Sequence, residues 1–416
     1  MAVTISSADK ALKSYYLEVV ADQLNYSVNP FLAKVKQTSD DVWGKEIRKL
    51  AIYGLNGGIG AGTEDGDLPE AAGNQYENFV LSLKNLYGSV EISDKAVRAA
   101  EHSAGAFVNL LNAEMEGLLK ASSFNFGRML FGDGSGKLAT VSAASGGVLT
   151  ADSVKNLIEG MTVDFRTSAG VAVSGATGRR ILTVDRGNKT FTVSGAALDA
   201  ETAKNCIVTV QGSYQNELTG LAAIFGSGDT LYGLSKASHS WLKPYQKGTV
   251  GAITETAIQT AIDEIEAQSG GTVDFIITSW GVRRALQKLF AEKGRNTDVT
   301  TLAGGYKAMT YNGIPIVADR FCPDGTMYLL NSADFALHQL CDWQWLEGED
   351  GSVLRQVPGK PVYSATLVKY ADLLCSRPNG QGMLSGIELL VLQRFPDKAG
   401  LSPLQKASKQ VNRDLN

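Results

Sequence analysis

The sequence predicts an α+β chain organised around one long helix, with a small all-β domain set into it. Three stretches carry that expectation. From about Asp94 to Phe131 the apolar residues recur at helical spacing. From 133 to 230, short β-forming runs alternate with turns. From 254 to 395, helical and strand patterns alternate. A chain of 416 residues is expected to hold two to four domains or subdomains.

Residues 1–42 are mixed and polar, with a short helix expected from Ser7 to Asn25 and ended by Pro30. Residues 43–92 hold two strand-forming runs, WGKEIRKLAIYGL and FVLSLKNLYGSVEIS. In the second, Val80, Leu81, Leu83, Leu86, Val90 and Ile92 give partial alternation. Between the runs lies NGGIGAGTEDGD, Asn56 to Asp67, with Gly57, Gly58, Gly60, Gly62 and Gly66. It fails the dinucleotide fingerprint, because Thr63 or Asp65 stands where the third glycine belongs. It fails the P-loop, because Thr63 stands where the lysine belongs. Glu64, Asp65, Asp67 and Glu70 follow without a compensating base, and a phosphate would be repelled. The acids also lack the spacing of a Ca²⁺ loop, so a solvated tip is expected. A tip of this length is unusual in a compact domain, and long loops are commonly functional.

The helix expected near 94–131 steps through Phe107, Leu111, Met115 and Leu118, with Leu110, Leu119, Phe126 and Leu130 widening its apolar face. No proline occurs between Pro69 and Pro244. Gly105, Gly117 and Gly127 each weaken the helix by about 1 kcal/mol relative to Ala and make it bendable. Gly132, Gly134 and Gly136 end it. The runs GMTVDFRT, RRILTV, KTFTVSG and NCIVTVQG, with a turn at Asp185–Asn188, then predict an almost neutral barrel or sandwich.

Further on, Thr254 caps a helix carrying Ala257, Ile258, Ala261, Ile262 and Ile265, which Gly270 and Gly271 stop. The strand VDFIIT precedes a second helix, WGVRRALQKLFAEK, with Ser279 as its expected cap. GIPIVAD, TMYLLN and FALHQL read as short strands. CDWQWLEGEDGSVLRQV reads as a hairpin turning at Gly348 to Gly351. YSATLVKYADLLC and MLSGIELLVLQRF read as strands long enough to cross a domain, and the tail from Pro396 is polar.

Composition excludes several classes. Hydrophobic residues make up 44% and charged residues 20%, an ordinary globular balance. A net charge of -4 leaves no electrostatic footprint for strong nucleic-acid or anionic-membrane binding; weak, non-specific nucleic-acid contact stays open. The four cysteines are widely spaced, without the C-x-x-C of a zinc or redox site, and are expected as free buried thiols. No apolar signal region or membrane-length span occurs, so a soluble chain in a reducing compartment is expected.

Catalysis finds no support. His102, His239 and His338 fall in no H-E-x-x-H, and no G-x-S-x-G exists. No nucleophile, base and orienting group can be named, so no enzyme, metal or cofactor is expected. Trp343 and Trp345 alternate onto one strand face, which suits either a stacking platform or packing at a domain or subunit contact; packing is favoured. Arg283, Arg284 and Lys288 read as a polar helix face.

The phrases LYGLSKASHSWLKP, VDFIITSWGVRRALQKL, YNGIPIVADRFCPDGTMYLLN and VLRQVPGKPVYSATLVKYADLLCSRPNG, in that order, resemble the major capsid proteins of tailed bacteriophages. The first 131 residues match that family by layout. The resemblance implies the phage major-capsid fold: an N-terminal arm (1–42), an extended β-hairpin loop (43–92) and a long spine helix (93–131). An inserted small β domain (132–230) follows, with peripheral-domain parts at 231–253 and 358–395, an axial domain at 254–357 and a tail at 396–416.

It also implies a shell subunit whose glycine-rich tip reaches across a neighbour. The tip glycines would adapt through unusual φ angles, and its acids would pair with partner bases. Gly57, Gly58, Gly60, Gly62, Glu64, Asp65, Asp67, Glu70, Trp343 and Trp345 are the expected subunit-contact residues, with Gly105 and Gly117 as hinges. Expected partners are further copies of the chain as pentamers and hexamers, a portal protein, packaged double-stranded DNA contacted non-specifically, and a decoration protein, with no membrane. The short stretch before the loop implies a separate scaffolding protein or none. Two other readings stand beside this: a cellular nanocompartment shell of the same fold, and a glycan-binding phage structural protein using Trp343, Trp345 and the β insert.

Overall fold

The computed structural model describes residues 29–40, 42, 46–95, 104–292, 299–301, 307–348 and 351–389. The helix expected at Ser7–Asn25, residues 96–103 of the helix expected at 94–131, and the tail lie outside them.

The described chain enters through a buried turn. Asn29 Oδ1 accepts from the backbone N–H of Phe31 and Leu32, and Asn29 Nδ2 donates to the Gly127 carbonyl. Phe31 and Leu32 are buried, and β1 (Lys36–Thr38) follows. Next come β2 (Ile47–Tyr53) and β3 (Gln75–Leu81), an antiparallel hairpin, then β4 (Lys84–Ser93). The run FVLSLKNLYGSVEIS is therefore not one strand. It breaks at Ser82–Leu83, because Phe79–Leu81 pairs within the hairpin and Lys84–Ser93 joins a different sheet. The long helix α1 (Ala104–Met129) spans 26 residues, about 39 Å at 1.5 Å per residue. Met115, Leu119 and Phe126 lie on its buried face.

A closed six-stranded barrel follows α1. Its strands are β5 (Lys137–Ser145), β6 (Val148–Ala151), β7 (Thr162–Arg166), β8 (Arg179–Asp185), β9 (Thr190–Val193) and β10 (Ile207–Val210), in the order β10-β5-β6-β9-β8-β7. The inward residues, among them Val141, Leu149, Phe165, Ile181, Phe191 and Val208, form a core separate from the rest. Closure leaves this insert no free edge.

The remaining chain supplies two sheets. In order come β11 (Tyr245–Lys247), α2 (Glu255–Ser269), β12 (Phe275–Thr278), α3 (Trp280–Glu292), β13 (Val299–Thr301), β14 (Lys307–Tyr311), β15 (Ile314–Ala318) and β16 (Met327–Leu330). Then come β17 (Phe335–Trp345), β18 (Arg355–Gln356), β19 (Val362–Cys375) and β20 (Gly382–Leu384). One sheet runs β11-β20-β16-β12-β15-β14-β13. The other centres on β19, with β4 along one side and β17 and β18 along the other, and β1 outside β17. Thr254 caps α2 by accepting from Ala257 N, and Gly270 closes it at φ 62°. Ser279 opens α3 through its carbonyl, which accepts from Arg283 N. Its buried hydroxyl finds no partner among the described residues.

Several sequence expectations change here. FALHQL and CDWQW form one strand, β17, which carries two register shifts against β19. β18 pairs with β19, so the expected hairpin between CDWQW and VLRQV does not form. The unit expected at 254–357 loses β17 to the long sheet, because Leu337, Trp343 and Trp345 pack into the core beneath α1. β11 and β20 join the other sheet instead, moving parts of 231–253 and 358–395. Of MLSGIELLVLQRF, Met383 and Leu384 close the short strand β20, Gly386 then turns at φ 67° against Thr249, and residues 390–395 lie outside the described residues.

Candidate functional site

The hairpin has two unlike faces. Ile47, Ala51, Phe79 and Leu81 are buried against the body. Tyr53 stacks on Trp241 with ring centroids 5.3 Å apart, and Phe79 meets Tyr232 edge-on at 5.4 Å. Val80 N donates to the Tyr232 carbonyl at 2.9 Å. The opposite face shows Leu50, Ile52 and Tyr76 to solvent, with Ile52 directly opposite Tyr76.

Residues 54–74 form the tip. It opens at Gly54, where φ is 74°. Asn56 Oδ1 accepts from Gly58 N at 2.9 Å, and Gly66 N donates to the Thr63 carbonyl at 3.2 Å. Gly57, Gly60, Gly62, Glu64, Asp65, Asp67 and Glu70 are exposed and Gly58 is half-buried. Leu55, Ile59 and Leu68 are exposed at 88%, 79% and 90%. The expected role of unusual φ angles does not apply to Gly57, Gly58, Gly60 or Gly62, none of which has positive φ. Close approach of the two limbs explains two of them: an added Cβ would lie 3.1 Å from Ala72 N at Gly58 and 3.0 Å from Pro69 Cγ at Gly60.

Trp343 and Trp345 lie elsewhere and are buried within their own chain at 5% and 4% exposure. Trp343 meets Phe126 of α1 edge-on at 6.1 Å. Lys369 Nζ lies over both rings and is held by Asp342 Oδ1 at 2.6 Å and Gln339 Oε1 at 2.7 Å. Burial pulls the Lys369 amine below the usual lysine range, with Asp342 opposing the shift. The two tryptophans are therefore core residues, neither a subunit contact nor a stacking platform. Gly105 and Gly117 both lie inside α1. Among the described residues, a Cβ at Gly117 would meet nothing within 4 Å, whereas one at Gly127 would come within 2.6 Å of Phe321 Cε2.

Sequence reasoning missed the polar clamps between α1, the barrel stalk and the sheet. Arg128 grips Glu217 with two bonds of 2.8 and 2.5 Å, both side chains almost fully buried. Asp372 accepts from Thr219 N at 2.7 Å and Thr219 Oγ1 at 3.0 Å. Lys155 of the barrel donates to the Cys322 carbonyl and Asp324. The partners stand up to 169 residues apart, with no local pattern to announce them.

Comparison with known proteins fits this geometry. The SU10 major capsid protein family matches residues 99–350, well over half of the chain. The chain belongs to the SU10 major capsid protein family. Among solved structures, the capsid of cyanophage A-1(L) aligns at a TM-score of 0.53 and 15% identity, covering 87% of this chain and 93% of that one. The capsid of Myoviridae phage XM1 aligns at 0.46 and 10% identity, covering 87% and 92%. An encapsulin of Synechococcus elongatus PCC 7942 aligns at 0.45 and 11%, covering 89% and 91%. No curated protein matches. The fold is the phage major-capsid fold, and the function is that of a tailed-phage major capsid protein, whose copies assemble into an icosahedral shell.

Proposed function

We propose that residues 54–74 are the arm by which each SU10-type subunit clasps its neighbour, and that the shell so formed encloses double-stranded DNA. The observation that carries this reading is the tip itself. Leu55, Ile59 and Leu68 are solvent-exposed on a segment rich in acids. Burying such a side chain is worth roughly 1.5–3 kcal/mol, so covering three on a partner gives a contact that closure into rings multiplies. Glu64, Asp65, Asp67 and Glu70 then set register against basic groups of the partner.

The reading extends to pentamers and hexamers, a separate scaffolding protein, a portal and a decoration protein, with assembly in the host bacterial cytoplasm and no catalytic step. Bending at Gly105 and Gly117 accommodates the two settings. Electron microscopy of the overexpressed chain tests it. Leu55→Ser, Ile59→Ser and Leu68→Ser together are expected to leave a folded subunit that no longer forms shells. Shells in unchanged yield and size would overturn the role of the tip.

A further inference from the structure

β4 is a long open edge. It pairs with β19 over ten residues, from Ser93 opposite Val362 to Lys84 opposite Ala371, without a register shift. Among the described residues, no strand pairs along its other side. Natural edges are blunted by prolines, bulges or inward charges, because free N–H and C=O groups invite another strand. β4 carries no proline and no bulge. Its outward row is Asn85, Tyr87, Ser89, Glu91 and Ser93, with Tyr87 62% exposed.

β2 is a second open edge, paired only with β3 among the described residues. Its outward row is Arg48, Leu50 and Ile52. Among the described residues, the one acid that Arg48 touches is Glu46, at 3.7 Å and in solvent. The two rows match in spacing. Laid antiparallel, Ile52 falls opposite Tyr87, Leu50 opposite Ser89 and Arg48 opposite Glu91. Aromatic–β-branched and opposite-charge pairs are the favourable cross-strand neighbours. A parallel alignment would set Arg48 against Tyr87 and Ile52 against Glu91, losing both. Within one chain the two strands belong to different sheets, so the strand that meets β4 comes from a second copy.

We propose that β2 of one subunit adds antiparallel to the β4 edge of its neighbour, in the register Ile52–Tyr87 and Arg48–Glu91, joining two sheets across the subunit contact. This rests on the shell reading and gives it a specific seam. Seven residues of β2 cover about 23 Å of the roughly 33 Å of β4, and main-chain bonds supply affinity while side chains fix register.

Hydrogen exchange on free subunits and on assembled shells tests the seam. Every second amide of residues 86–92 is expected to change from fast to slow exchange on assembly. Arg48→Glu or Glu91→Arg alone is expected to raise the critical assembly concentration about two- to fivefold, the range of one cross-strand pair. The double exchange restores it. Arg48→Cys with Glu91→Cys is expected to give disulfide-linked multimers in oxidised shells. Shells whose β4 amides exchange as in free subunits, or a double exchange that fails to rescue, would overturn the seam while leaving the shell reading intact. Failure of the unaltered chain to form any shell would overturn both.

Discussion

At the residue scale, two buried carboxyls give the subunit an unusual response to pH. Burial pushes Asp372 up to about 6, against the bonds from Thr219 and Leu373. Burial likewise pushes Asp319 up to about 6. An unfolded aspartate titrates near ~3.9. Between those values the folded chain holds protons that the unfolded chain has released. The stability these groups contribute is present in full below about 4 and is lost as pH rises through about 6. Asp372→Asn keeps an acceptor for Thr219 N and offers Nδ2 to the Thr219 hydroxyl. It is expected to stabilise the free subunit at pH 7 by on the order of 2 kcal/mol and to flatten the pH dependence between pH 4 and 7. Denaturant unfolding across that range checks it; an unchanged slope would remove Asp372 as its source.

At the element scale, α1 separates glycines that the sequence makes look alike. Gly117 faces open space, so Gly117→Ala is expected to stabilise the free subunit by about 1 kcal/mol through helix propensity alone. Gly127 lies against the Phe321 ring, so Gly127→Ala is expected to cost roughly 1–3 kcal/mol by overpacking. Thermal unfolding of the two variants should move in opposite directions. If Gly117→Ala also alters shell curvature or yield, bending in α1 is the cause, since the added methyl touches nothing among the described residues of its own subunit. The helix itself was legible because Met115, Leu119 and Phe126 keep one period. The role of Gly127 was not, because Phe321 lies almost two hundred residues away. β17 failed for a related reason. Its register shifts near Gln339, Cys341 and Gln344 break the period-2 pattern, so one strand reads as two. Those same shifts put Asp342 and Gln339 beside Lys369, a contact no spacing rule exposes. In the tip, the acids and glycines were legible as an exposed segment, but Leu55, Ile59 and Leu68 gain meaning only once they are seen to stand exposed, with no described residue covering them.

At the scale of the whole molecule, the barrel is an addition to the shell fold, and its junction shows how it can be added. Lys137 and Thr209 are partners across β5 and β10, so the chain leaves and re-enters the body within about 5 Å. The barrel core is a separate cluster of buried residues, joined to the body core at its margin by Ile158 and Met161, the latter packing against both. Beyond the junction, Arg128–Glu217 and Asp372–Thr219 belong to the body and its stalk, and among the described residues only Lys155 carries a barrel charge onto the body. An insert with adjacent ends and its own core can be removed without pulling the host apart. Replacing residues 138–208 by a short glycine turn is therefore expected to leave a cooperative body with its melting temperature within a few degrees of the parent. The fragment 135–214 is expected to melt alone as a β protein. If both pieces unfold, barrel and body form one cooperative unit and the modular account fails. If the trimmed body folds and still forms shells, the contacts that close the shell run through the hairpin and the long sheet. If it folds but stays dispersed, the barrel itself bridges neighbours, and the seam at β4 cannot be sufficient for assembly.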